Sequence, residues 1–193
     1  MIRIIIIFIS TFFFFYYLLS LAYAHQIEHL RELYLYIGTD KIYLRIIYNI
    51  PAGDRAFKIR KKFDTNGDGF IDDSESEALK RYVAQDAVKG LKISFQERPV
   101  NIYTYNVVLD FARESSSSLE ISASLNVPIW LAQAPPPPYF KIGLVEERFS
   151  HTHISIESVF KLKFSGYKFK EGDGIFYGEL IRTKPLAVKV LRE

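Results

Sequence analysis

Leu33-Tyr34-Leu35-Tyr36-Ile37-Gly38-Thr39-Asp40-Lys41-Ile42-Tyr43-Leu44-Arg45-Ile46 is the stretch on which the fold turns. Aliphatic residues alternate with Tyr34 and Tyr36 in its first half, and with Tyr43 and Arg45 in its second. A period of two sends every other side chain to one face, so each half reads as a half-buried strand. Gly38-Thr39-Asp40 is turn chemistry and joins the two as a hairpin. Pro51-Ala52-Gly53 ends the second strand.

The same pattern resumes after Gly90. Strands are expected at 91–95, 100–103, 106–112, 119–127, 139–145, 153–164, 175–181 and 186–191. Glu97-Arg98-Pro99, Ser115 to Ser118 and Gly172-Asp173-Gly174 are the turns between them. Many short strands punctuated by turns imply a sandwich or barrel-like sheet. Pro135 to Pro138 cannot join a central ladder and reads as a stiff connection between strands, with a ligand for a proline-recognising module as the alternative.

Residues 54–90 break this rhythm. Apolar spacing becomes helical on both sides of a Gly- and Asp-rich loop: Ala56, Ile59 and Phe63 share one face before it, Leu79 and Val83 another after it, with Tyr82 alongside. Gly90 after Lys89 is a helix C-terminal signal. The expected fold is therefore α+β: a mainly antiparallel β-sandwich-like domain with an inserted helix–loop–helix.

The loop, residues 64–75, reads Asp-Thr-Asn-Gly-Asp-Gly-Phe-Ile-Asp-Asp-Ser-Glu. Its oxygen donors fall at the spacing that calcium, a hard cation taking six to eight oxygens, requires. Asp64, Asn66 and Asp68 stand at positions 1, 3 and 5. Gly69 at position 6 permits a sharp turn. Phe70 at position 7 offers its backbone carbonyl, Asp72 at position 9 acts directly or through water, and Glu75 at position 12 is expected to use both oxygens. Ile71 is the apolar residue that packs inward. The competing reading is an acidic solvated turn. Over 54–90 the chain resembles the EF-hand superfamily, which implies calcium as the bound ion. Sensor hands work in pairs, and no second loop is found, so the expected role is structural. Arg55, Lys58, Arg60, Lys61 and Lys62 crowd the entering helix. They read as a solvated face balancing the acidic loop, with an anionic membrane or partner patch as the alternative.

Charge and composition narrow the function. A net charge of +3 lacks the basic excess of a nucleic-acid binder. The absence of cysteine excludes disulfide scaffolds, zinc fingers and thiol catalysis. Met1-Ile2-Arg3, an uncharged run over 4–23 and the small-x-small triplet Ala22-Tyr23-Ala24 read as a signal peptide over 1–24, with a membrane anchor as the alternative. Both export residues 25–193, so the expected location is periplasmic or extracellular. No nucleophile elbow, zincin motif or phosphate-binding glycine loop occurs, and a non-enzymatic binding or accessory module is expected.

The four histidines form two close pairs, His25 with His29 and His151 with His153. On a strand His151, His153 and Glu157 share one face, and such N and O ligands suit nickel, copper or zinc. The bland reading makes them surface polar residues. The order of leader, His25, hairpin, acidic loop and strands, together with Leu91-Lys92-Ile93-Ser94-Phe95 and Arg98-Pro99-Val100, resembles the exported region ahead of bacterial nickel/cobalt-type permeases over 24–165. Gln26 departs from that pattern, where a proline is common. This resemblance implies an alternative role in transition-metal handling, with a membrane transporter or other envelope protein as partner. Tyr34, Tyr36 and Tyr43 fit either a sugar-binding face or ordinary strand packing.

Overall fold

A computed structural model describes residues 31–39, 41–100, 102, 106–116, 121–131, 139–145, 151–165, 167, 169–172, 174–182 and 184–191, with backbone alone at 41, 95, 127–131, 151, 170 and 171. The leader, His25, His29 and Pro135 to Pro138 lie outside these residues.

The chain runs β1 (Arg31–Ile37), β2 (Lys41–Ile50), α1 (Asp54–Phe63), α2 (Asp73–Val88), β3 (Leu91–Phe95), β4 (Arg98–Val100), β5 (Asn106–Phe111), β6 (Ile121–Leu131), β7 (Tyr139–Leu144), β8 (His151–Ser158), β9 (Lys161–Ser165), β10 (Lys170–Gly172), β11 (Ile175–Ile181) and β12 (Leu186–Leu191). A seven-stranded sheet has the order β10-β11-β8-β1-β2-β6-β5, and a five-stranded sheet the order β4-β3-β7-β12-β9. All neighbours are antiparallel except β1 and β8. The α+β, mainly antiparallel, sandwich-like architecture is the one expected.

The opening hairpin behaves as its alternation dictates. Leu33, Leu35 and Ile37 of β1 and Ile42, Leu44 and Ile46 of β2 are buried, and Tyr34 and Tyr43 face outward. Burying each aliphatic side chain is worth roughly 1.5–3 kcal/mol. From the second sheet Leu91, Ile93, Phe140, Ile142, Leu144, Leu186, Val188 and Val190 join the same core. Ala56, Ile59, Leu79, Val83, Ala84 and Ala87 of the helices complete it. The apolar stripes expected on both helices are thus the faces they bury.

Three expectations are corrected. The run 153–164 is two strands in different sheets, β8 and β9, separated where Phe160 N–H donates to Ser158 Oγ at 3.0 Å. Continuous apolar alternation cannot reveal a change of sheet, since both strands feed one core. The turn placed at Glu97-Arg98-Pro99 lies earlier, at Gln96 and Glu97, whose φ values of 48° and 66° make a two-residue hairpin. Pro99 then sits in β4, an edge strand, where no ladder donor is needed. Third, the basic residues of α1 are not one solvated face: Arg60 is fully buried and Arg55 is half-buried.

Candidate metal centre

α1 and α2 present the 64–75 loop at one end of the helix pair. α1 has Asp54 in its first turn and Arg60, Lys61 and Lys62 in its last, the distribution that suits the helix dipole. α2 starts on a capping box. Asp72 Oδ1 accepts from Glu75 N–H at 2.9 Å, and Glu75 Oε2 accepts from Asp72 N–H at 3.1 Å.

Within the loop, carboxylate oxygens collect backbone N–H groups. Asp64 Oδ1 accepts from Gly67 at 2.9 Å, and Oδ2 accepts from Gly69 at 3.0 Å. Asn66 Oδ1 takes the N–H of Asp68, and Asp68 Oδ1 takes that of Phe70, at 2.9 and 2.8 Å. Gly67 and Gly69 have φ of 74° and 84°, a region where a side chain is strained, so the turn needs both glycines. Glu75 Oε1 reaches across to Thr65 N–H at 2.6 Å, Thr65 Oγ1 at 2.8 Å and Asn66 N–H at 3.3 Å.

A segment that the sequence reading did not connect to the loop holds it from the other side. Ile71 N–H donates to Arg113 O at 2.7 Å, and Ser115 N–H donates to Gly69 O at 3.0 Å. Phe70 and Glu114 form an antiparallel bridge between these two bonds. In such a pair Phe70's own N–H and C=O face away from its partner strand, toward the loop. Ser115, itself buried, donates its hydroxyl to Asp64 Oδ2 at 2.6 Å. Arg113 Nη1 reaches Ile71 O at 3.3 Å and Asp73 Oδ1 at 2.8 Å. The buried Arg60 donates to Ala112 O.

These bonds hold three carboxyls below their ordinary range. The Ser115 hydroxyl is the main cause for Asp64, the Glu75 backbone N–H for Asp72, and the Asp72 backbone N–H for Glu75. These three carboxyls are therefore ionised at neutral pH. The donor chemistry fits a hard cation: carboxylates at 64, 68, 72 and 75, an amide oxygen at 66 and a backbone carbonyl at 70. Among the described residues no three histidine or carboxylate side chains converge closely enough to hold an ion as they stand. Glu75 is turned to the loop backbone. Its carboxylate is committed to Thr65 and Asn66 and would have to release them to join a cation.

The other predicted ligands fall elsewhere. His151 and His153 lie on β8, where Thr152, Ile154 and Ile156 point inward and His153 and Glu157 outward. The strand parity expected of this group is thus observed for His153 and Glu157. The outer face of the same sheet carries Tyr34, Tyr36, Tyr43 and Tyr177 around Arg45, Ser155 and Glu157, enclosing a shallow depression of about 240 Å³. No family model matches the chain, and no curated protein does.

Two polar clusters tie the helices to the sheet, and neither has a sequence motif. Tyr48 OH donates to Asp86 Oδ2 at 2.6 Å, and Arg55 Nη2 donates to the same oxygen at 2.6 Å. Burial, and then the hydrogen bond to Asp86, push the Tyr48 phenol well up. Arg31, buried on the inner face of β1, donates Nη1 to Ala87 O and Lys89 O at 3.1 and 3.0 Å, and Nε and Nη2 to Thr152 Oγ1 at 3.4 Å. The last turn of α2 has no basic residue, so β1 supplies the cation its C-terminus favours.

Proposed function

We propose that residues 64–75 form an EF-hand-type calcium site with a structural role in an exported, non-catalytic module. The observation that carries this reading is the conformation of the loop. Gly67 and Gly69 make the turns, Asp64 and Asn66 organise the loop amides, and Phe70's carbonyl faces inward from a backbone pinned at Ile71. Six oxygen-bearing positions thus stand at the calcium spacing on one loop, and the carboxylates, Glu75 among them, would draw together around the ion. Hard oxygen ligands select calcium over nickel or copper, which prefer nitrogen and sulfur. With a leader-like start the site would face calcium of extracellular strength, and a dissociation constant on the order of 10⁻⁴–10⁻³ M would suffice.

Calorimetric titration of the 25–193 chain with calcium, and separately with nickel, tests this. One calcium per chain is expected, and no calcium heat from Glu75→Gln. A silent calcium titration up to 10 mM, or unaltered binding by the variant, would refute the proposal. Tight nickel binding lost on His153→Ala would favour transition-metal handling instead.

A further inference from the structure

Resting on that calcium reading, we propose that the arm following β5, residues Arg113 to Ser115, is part of the metal centre, with Ser115 as the positioning residue that fixes which Asp64 oxygen meets the cation. The geometry is specific. Asp64 Oδ2 accepts two hydrogen bonds, from Gly69 N–H at 3.0 Å and Ser115 Oγ at 2.6 Å, and Oδ1 accepts one, from Gly67 N–H at 2.9 Å. A carboxylate oxygen has two lone pairs, so Oδ2 is filled and Oδ1 keeps capacity for a metal. Ser115 is 4% exposed, so its hydroxyl meets little competing water.

The arm also holds the loop backbone. Arg113 O accepts the Ile71 N–H, and Gly69 O accepts the Ser115 N–H, on either side of the Phe70–Glu114 bridge. Phe70 is the position whose carbonyl the site uses, and its orientation is set by this pairing. Among the described residues no second hand pairs with the loop, and the segment that follows β5, the edge strand of the seven-stranded sheet, takes that place. The arm touches no ion itself. It removes freedom that Asp64 and Phe70 would otherwise lose on binding. Freezing one side chain corresponds to a roughly two- to tenfold change in affinity.

The test compares calcium affinity of the wild-type chain with Ser115→Ala and Ser115→Thr. Melting in excess chelator serves as the fold control. Ser115→Ala is expected to bind about three- to tenfold more weakly while melting within a few degrees of wild type in chelator. Ser115→Thr keeps the hydroxyl and is expected to restore affinity. Equal affinities for wild type and Ser115→Ala would overturn this inference and leave the calcium reading standing. A wild-type chain that binds no calcium would overturn both. Should Ser115→Ala fail to fold, hydrogen exchange on the wild-type chain decides. Calcium is expected to slow exchange at the Ile71 and Ser115 amides, and unchanged rates there, with calcium bound, would overturn the role of the arm.

Discussion

Replacing Arg31 by methionine removes a buried cation while keeping an unbranched apolar stem in its place. Arg31 is 1% exposed and its guanidinium holds Ala87 O and Lys89 O at the C-terminal end of α2. Ala87 O would be left without its donor in the interior, which costs about 1–3 kcal/mol. Lys89 O is nearer the surface, and water recovers part of its loss. The favourable interaction of a cation with the helix C-terminus is worth up to about 2 kcal/mol in a buried setting. Against these stands the relief of no longer desolvating a guanidinium. The contacts to Thr152 Oγ1 are long, at 3.4 Å, and add little. The balance is a loss of about 3 kcal/mol, or roughly 6–12 °C in melting temperature for a chain of this size. Arg31→Lys keeps the charge but not the fork, and is expected to lose about half as much. Urea denaturation of wild type and both variants measures this, with the slope unchanged if the native state is preserved. A loss under about 1 kcal/mol for Arg31→Met would refute the capping argument.

Calcium at 10 mM is expected to raise the melting temperature by roughly 3–10 °C, from linkage of about 1.4–2.7 kcal/mol at dissociation constants of 10⁻³–10⁻⁴ M, and chelator to reverse it; scanning calorimetry showing no shift would count against a structural ion. Tyr48 stays protonated in the folded chain above pH 10 but ionises in the unfolded one, so its contribution is complete below about pH 10 and falls as pH rises further, by up to about 1.4 kcal/mol per unit. Stability profiles of wild type and Tyr48→Phe should therefore converge between pH 10 and 11.5, and parallel profiles would contradict the burial of a protonated phenol. Gly178→Ala places a Cβ 2.7 Å from Phe169 Cε1, whose ring already stacks on Phe164 at 4.3 Å between centroids. A loss of about 1–3 kcal/mol with altered near-ultraviolet circular dichroism is expected.

The hairpin, the helical stripes and the 64–75 loop were legible because each depends on local chemistry. Period-two alternation fixes the faces of β1 and β2, and helical apolar spacing on both sides of the Gly- and Asp-rich stretch fixes the faces of α1 and α2. What escaped was non-local. Arg31 lies just before the apolar run of β1, and nothing local marks it as buried, because its partners are carbonyls 56 and 58 residues away. Ser115 reads as one of four turn serines, and its link to Asp64 spans 51 residues. Arg60 sits among lysines on α1, and only the return of the chain at Ala112 explains its burial. The one available signal was register. Arg31 continues the inner-face parity of Leu33, Leu35 and Ile37, so a strand extended by two residues would have put a charge in the core.

The same contacts decide what a cation at the loop would do to the rest of the molecule. α2 is 16 residues long and so extends about 24 Å. Its first turn is the last part of the loop, through Asp72 and Glu75, and its last turn is held by Arg31, whose strand pairs with β8 and β2. Between these ends Leu79, Val83, Ala84 and Ala87 belong to the core that both sheets share. Asp86 ties the helix to β2 through Tyr48 and to α1 through Arg55. The helix is thus anchored at its C-terminus by Arg31, along its length by the core and at its start by Arg113, contacts that oppose a swing of the helix as a unit. On the proposed reading, a cation that draws in Glu75 is expected to stabilise the whole packed unit rather than expose a groove. That argues for a staple over a sensor, and it makes global melting the measurement in which calcium is expected to register.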